Sequence, residues 1–314
     1  MNLSNCSRAT EFIILGFPQT GVMKIILFIV ILLLYLLCLT GNGLIIVLVW
    51  INHPLQKPMY FFLTNFSIIE VGHTTAFMPK MLVNFLSPKA TISFNLCMVQ
   101  MYFYFLFGVT EFFVLSLISI DRYLAICQPL RYNIIMTPSV CLQLSVATWF
   151  AGFSSITFQF MIMLRLPFCS SNIVNHFFCD IGAMLNISGG DTHLIEALGF
   201  LVTLTVILTS LLVTIVSYIF IVSTILRIPS TGGRQKAFST CLSHLIVVSI
   251  LYGAVLFIYL RPNITQSSFS VVKAVSILNM MVAPVLNPFI YTIRNNEVKN
   301  ALQRNIGTKA LTFP

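Results

Sequence analysis

Long apolar stretches punctuated by isolated charges set the pattern of this 314-residue chain. No Asp, Glu, Lys or Arg occurs between Lys24 and Lys57, Arg131 and Arg165, Glu196 and Arg227, Lys236 and Arg261, or Lys273 and Arg294. Each interval reaches the roughly 20 residues that a helix needs to cross about 30 Å of hydrocarbon. Two further runs, Pro58 to Phe85 and Cys97 to Cys127, have the same reach but carry a carboxylate inside, Glu70 and Glu111. The pattern predicts an all-α membrane protein, a bundle of seven transmembrane helices over about 25–50, 58–85, 97–127, 140–164, 194–226, 237–260 and 271–293. Residues 1–24 then form an outer tail, and residues 294–314 a short inner tail with an amphipathic helix.

Composition agrees with a chain that lives in lipid. Hydrophobic residues make up 58%, charged residues only 8%, and mean hydropathy is +0.95, against about 25% charge in soluble domains. With the amino terminus outside, Lys57, Arg122, Arg131, Arg227, Arg234 and Lys236 fall in inner loops, as positive-inside topology requires. The net charge of +9 therefore reads as topology and attraction to anionic inner-leaflet lipid, not as nucleic-acid binding. No cleaved signal peptide is expected, because Phe12 to Leu15 is too short an apolar core. Sequons stand at Asn2, Asn5, Asn186 and Asn263 on the outer side; a fifth at Asn65 falls inside the second helix, beyond a glycosyltransferase's reach.

Short loops leave one outer stretch of about 30 residues, from Arg165 to Leu194. The glycine-rich segment Ser230 to Lys236 reads as a flexible inner loop, since it lacks the Gly-Lys-Ser/Thr ending of a phosphate loop. Cys97 lies 24 residues before Asp121, about 36 Å along a helix, so it reaches the oxidising face. Cys179 in the long outer loop is its natural disulfide partner, and the bond would roof a cavity between the helices. Cys169, His176 and Cys179 lie close in sequence, yet their irregular spacing does not define a metal tetrahedron.

Three sets of residues bear on function. Asp121-Arg122-Tyr123 ends the third run, where the carboxylate can latch a permanently charged guanidinium and release it to an inner partner. Glu70 and Glu111 must face the bundle interior, because an ionised carboxylate in hydrocarbon is costly. They serve either as protonated helix contacts or as a shared cation or proton site. No nucleophile, metal set or reacting acid pair with an enzyme's spacing appears, and neither do the paired repeats of a transporter.

The chain resembles the olfactory receptors, rhodopsin-like (class A) G-protein-coupled receptors, from Thr10 to about Asn300. The resemblance rests on Glu11 to Phe17, Gly41-Asn42, Pro58 to Leu63, Pro79 to Leu82, Asp121 to Cys127, Pro129 to Tyr132, Ser217-Tyr218, Lys236 to Leu245 and Pro284 to Tyr291. It implies a multi-pass plasma-membrane receptor without a cofactor, partnered by a small volatile odorant and a stimulatory heterotrimeric G protein that raises cAMP. By resemblance Arg122 meets the G protein, Tyr218, His244 and Tyr291 belong to the activation machinery, and Asn287-Pro288 hinges the seventh helix.

The same resemblance gives a pocket of Met101, Tyr104, Phe105, Gly108 and Val109, faced by Gln159, Val202, Val206, Val255, Tyr259, Ile277 and Met280, with Tyr252 as an aromatic switch. This set carries no charge, so a small, mostly neutral ligand is expected. The chain departs from the family in Gln56, in Ile118-Ser119-Ile120, in Glu70 for aspartate, and in glycine at 189–190 where a loop cysteine is usual. The last departure leaves Cys169 either a free outer thiol, the expected state, or a partner for Cys6.

Overall fold

The computed structural model describes residues 9–16, 21–169, 171–259, 280–290 and 296–310. Its long helices are α1 (Gly21–Ile51), α2 (Pro58–Leu86), α3 (Phe94–Cys127), α5 (Pro138–Met163), α7 (His193–Leu226) and α8 (Thr231–Tyr259). Shorter ones are α4 (Pro129–Ile135), α6 (Ile181–Leu185), α9 (Met280–Ile290) and α10 (Asn296–Ala310). Proline opens α2, α4 and α5, where its missing N–H is no loss. Side-chain caps start others: Ser93 accepts from the Leu96 N–H, and Asp180 from the Ala183 N–H.

Among the described residues four helices, α1, α3, α5 and α7, are long and apolar enough to cross a membrane. Side chains such as Ile25, Phe150 and Leu212 stand exposed on them, as they would toward lipid. α3 is the central post, packed against α2, α5 and α7. Its face toward the interior buries Val114, Leu115, Leu117 and Ile118 in the main core together with Phe62, Phe66 and Ile69 of α2.

Two local expectations fail. Thr231 to Lys236 is not a flexible loop but the opening of α8; Ser230 accepts the Gly233 N–H through its Oγ and the Arg234 N–H through its carbonyl, which seats the first turn despite two glycines.

The fold is also not purely helical. A three-stranded sheet caps one end, with β1 (Glu11–Ile14) at its centre between β2 (Thr91–Ser93, antiparallel) and β3 (Ile173–Val174, parallel). Phe12 and Ile14 alternate inward from β1, and the Phe12 ring meets Phe168 edge-on at 5.9 Å and Phe94 at 6.1 Å. Strands of four residues or fewer are too short to show a period-two signature.

Candidate functional site

α3 joins a cavity at its sheet-capped end to a charged cluster at the other. Near its start Cys97 forms a disulfide with Cys179, and the Gln100 Oε1 accepts the Cys179 N–H at 3.0 Å. One covalent bond and one hydrogen bond thus pull the long loop over the bundle. Phe178, next in the loop, lies buried with its ring 4.5 Å from that of Tyr104.

Beneath this roof lies a cavity of about 760 Å³, within the size range of small-molecule sites. From α3 it is lined by Tyr104, Phe105, Gly108, Val109, Glu111 and Phe112, from α7 by Val206 and Ile207, from α8 by Leu251 and Val255, and from α9 by Met280 and Pro284. Met101 and Gln159 line a separate narrow cleft between α3, α5 and α7, where the Gln159 amide donates to the Ile195 carbonyl at 3.3 Å. Val202 is not on the cavity wall, and Tyr252 is buried edge-on against Phe112 rather than lining it. Ile277 and the side chain of Tyr259 lie outside the described residues.

The charge-free pocket needs correction. Glu111 and His73 both line the cavity, with the imidazole Nδ1 3.6 Å from the Glu111 carboxylate, while Asp180 and Glu196 stand at its rim. Glu111 was placed by its burial requirement and not by its facing, which only neighbouring helices decide. His73 was missed altogether. A signal existed: it lies three residues beyond Glu70, on the same face of α2. Asn186 is exposed where the loop meets the cavity, a position open to a glycan; Asn2, Asn5 and Asn263 lie outside the described residues.

Cys169 is disulfide-bonded, which overturns the free-thiol expectation. The Ala9 N–H donates to the Phe168 carbonyl at 3.1 Å, so the tail runs beside the residue preceding this cysteine. Cys38, Cys127, Cys141 and Cys241 are reduced and Cys97 pairs with Cys179; Cys6, the alternative partner expected for Cys169, lies outside the described residues.

Glu70 takes a partner of its own. Its Oε1 accepts a short hydrogen bond from the Asn287 amide. One residue further on, Pro288 has no N–H for the Pro284 carbonyl, and the Asn42 amide donates to that oxygen instead at 3.1 Å. Gly41 makes this possible, since a Cβ there would stand 2.9 Å from the Pro288 ring. The two sequence pairs Gly41-Asn42 and Asn287-Pro288 are therefore one contact.

At the far end of α3 the Asp121 Oδ2 accepts from Arg122 Nη2 at 2.5 Å and Nε at 3.1 Å, while its Oδ1 accepts the Tyr132 hydroxyl at 2.7 Å. Burial and then the Asp121 carboxylate push the Tyr132 phenol well above its usual range, so it remains a donor. Nearby, the Tyr218 hydroxyl bonds the buried His244 Nδ1 at 2.8 Å with the two rings stacked. Tyr123 faces α7 through Phe220; Tyr291 lies outside the described residues.

A helical bundle with a lidded cavity at one end and an arginine cluster at the other fits many receptors, and sequence comparison decides among them. The olfactory receptor family profile matches residues 31–309. The chain belongs to the olfactory receptor family. It is 51% identical over 312 residues to olfactory receptor 6X1 of Homo sapiens, covering 99% of this chain and 98% of that one. Olfactory receptor 287 of Rattus norvegicus is 48% identical over 305 residues, 97% of this chain and 98% of the relative. As a member of this family the olfactory receptor is a multi-pass plasma-membrane protein of the G-protein-coupled class. The family implies seven crossings; the described residues contribute the helices given above.

Proposed function

We propose that this chain is an odorant receptor that takes a small, mostly neutral volatile molecule into the roofed cavity and activates a stimulatory heterotrimeric G protein, raising cAMP. The amino terminus and sheet face outward, and the carboxyl terminus and α10 face the cytosol. The observation that carries the reading is the pairing on one helix of a ligand-sized cavity at Tyr104 to Phe112 with a closed ion-pair cluster at Asp121-Arg122. Tyr104 and Arg122 are 18 residues apart, about 27 Å along α3. A ligand at one end can bias helix packing that the other end reads, provided it binds the two packings unequally.

Arg122 is the side chain assigned to the G protein, because a guanidinium stays charged once its carboxylate lets go. Tyr218, His244, Asn287 and Pro288 sit where α7, α8 and α9 would move past it, and Glu70 with Glu111 would sense that motion as a cation or proton site. A panel of volatile compounds on cells carrying the receptor and a cAMP reporter tests the function. Agonist-dependent cAMP is expected; ion flux without cAMP would replace the receptor with a channel.

A further inference from the structure

Most of the cavity wall is apolar, but a buried imidazole of α2 stands on it. His73 is 8% exposed on α2 and lines the cavity. Its Nδ1 faces the Glu111 carboxylate at 3.6 Å, and its Nε2 has no hydrogen-bond partner among the described residues. Tyr104 holds one side of the ring at a centroid distance of 4.7 Å, and Phe77 meets it edge-on at 6.2 Å. Gly108 of α3 leaves the open edge free: a Cβ built there would lie 4.0 Å from Nε2 and 3.9 Å from Cε1. A buried nitrogen without a partner is a standing penalty, and this one belongs to a side chain on the wall of a cavity large enough to hold a ligand.

We propose that His73 is the polar anchor of the cavity, and that its Nε2 accepts a hydrogen bond from a hydroxyl on an otherwise apolar ligand, an alcohol or a phenol. This rests on the cavity being the odorant site. A neutral imidazole donates from one nitrogen and accepts at the other, and the neighbour of the first fixes which. The Glu111 carboxylate 3.6 Å from Nδ1 favours the tautomer with its proton on that side, which leaves the Nε2 lone pair for a ligand hydroxyl. Glu111 is thus a positioning residue. Ethers, ketones and esters only accept, and would leave two acceptors facing each other. Carboxylic acids are disfavoured as well, because Glu111, Asp180 and Glu196 all line the cavity and no Lys or Arg is among its described lining residues.

The test is a set of small alcohols and phenols, each with its methyl ether and the matching ketone, applied with thiols and hydrocarbons to cells carrying the surface-tagged receptor and a cAMP reporter. At least one hydroxyl compound is expected to act at about tenfold lower concentration than its own ether, the size of one hydrogen bond. His73→Phe should erase that ratio. Gly108→Val, which keeps the imidazole but fills the space beside Nε2, should shrink it without loss of surface receptor. Glu111→Gln, which retains an acceptor oxygen for Nδ1, should preserve the ratio, and Glu111→Leu should reduce it. Because the ratio is internal to each variant, a lower expression level does not move it. Ethers or ketones as potent as the alcohols, or a ratio unchanged in His73→Phe, overturn the anchor while the receptor reading stands. So does a response confined to thiols or hydrocarbons. Silence to every compound, with receptor at the surface and the reporter responding to direct cyclase activation, overturns both.

Discussion

The two ends of α3 are fastened by different kinds of bond. At the sheet-capped end Cys97–Cys179 is covalent, Gln100 adds a hydrogen bond to the same loop, and β1 ties two loops together through backbone. At the other end Asp121 holds Arg122 and Tyr132 by charge and hydrogen bonds alone. The first set breaks only with the fold or a reductant, while the second, held by charge and hydrogen bonds, can exchange partners without either. A receptor needs that asymmetry, because a cavity must keep its shape while the distant contact exchanges partners.

Breaking the permanent end should have the largest effect. Cys97→Ser or Cys179→Ser is expected to abolish surface expression, since the 82-residue closure corresponds to ~4.5 kcal/mol by chain entropy, an upper figure for helices already confined in a bilayer. Flow cytometry of an epitope-tagged receptor checks this, and normal surface levels would show that the sheet alone holds the roof. Breaking the exchangeable end should spare the fold. Arg122→Ala should reach the surface and lose agonist-driven cAMP; full signalling by that variant would remove Arg122 from the coupling contact.

Smaller changes sharpen the contrast. Tyr132→Phe removes one hydrogen bond to a buried carboxylate, worth about 1.5–3 kcal/mol, and should raise basal cAMP a few-fold. Unchanged basal signalling would place Tyr132 outside the latch. The weakest effect belongs to the clamp on α10, where Lys57 donates to Glu297 at 2.7 Å and Tyr60 adds a bond at 3.0 Å. Burial raises the Glu297 carboxyl, but the Lys57 and Tyr60 bonds outweigh it, so the net direction is below the usual 4.5. A lowered carboxyl contributes stability above its ordinary range and loses it as pH falls through the lowered value. Both side chains are half exposed, so Lys57→Ala should shift the melting temperature of purified receptor by about a degree or less. A larger shift would mean that α10 is docked by this pair.

What the sequence made legible follows from what each signal depends on. Long apolar runs depend only on the thickness of lipid, and each of the long helices described overlaps one, α2 and α3 with a carboxylate inside. The pairing of Cys97 with Cys179 followed from depth. Asn42 and Pro288 were visible as separate motifs, yet that Asn42 supplies the donor Pro288 lacks required their helices to be side by side. That Glu111 faces inward was legible from its charge, and His73 could be read as sharing the face of Glu70, but that the two meet across the cavity required their helices to be side by side. The sheet escaped for a different reason: Glu11–Ile14, Thr91–Ser93 and Ile173–Val174 gain strand geometry only from one another.

That sheet also sets an order of events during synthesis. β1 leaves the ribosome before both of its neighbours, which come about 80 and 160 residues downstream. It must wait, unpaired, through the insertion of most of the bundle. The roof therefore cannot close before β3 emerges, and its closure reports that segments from three distant stretches of the chain have all arrived on one side of the membrane. A quality-control step in the secretory pathway that senses unpaired strands or open thiols would find in this small sheet a single readout of correct topology.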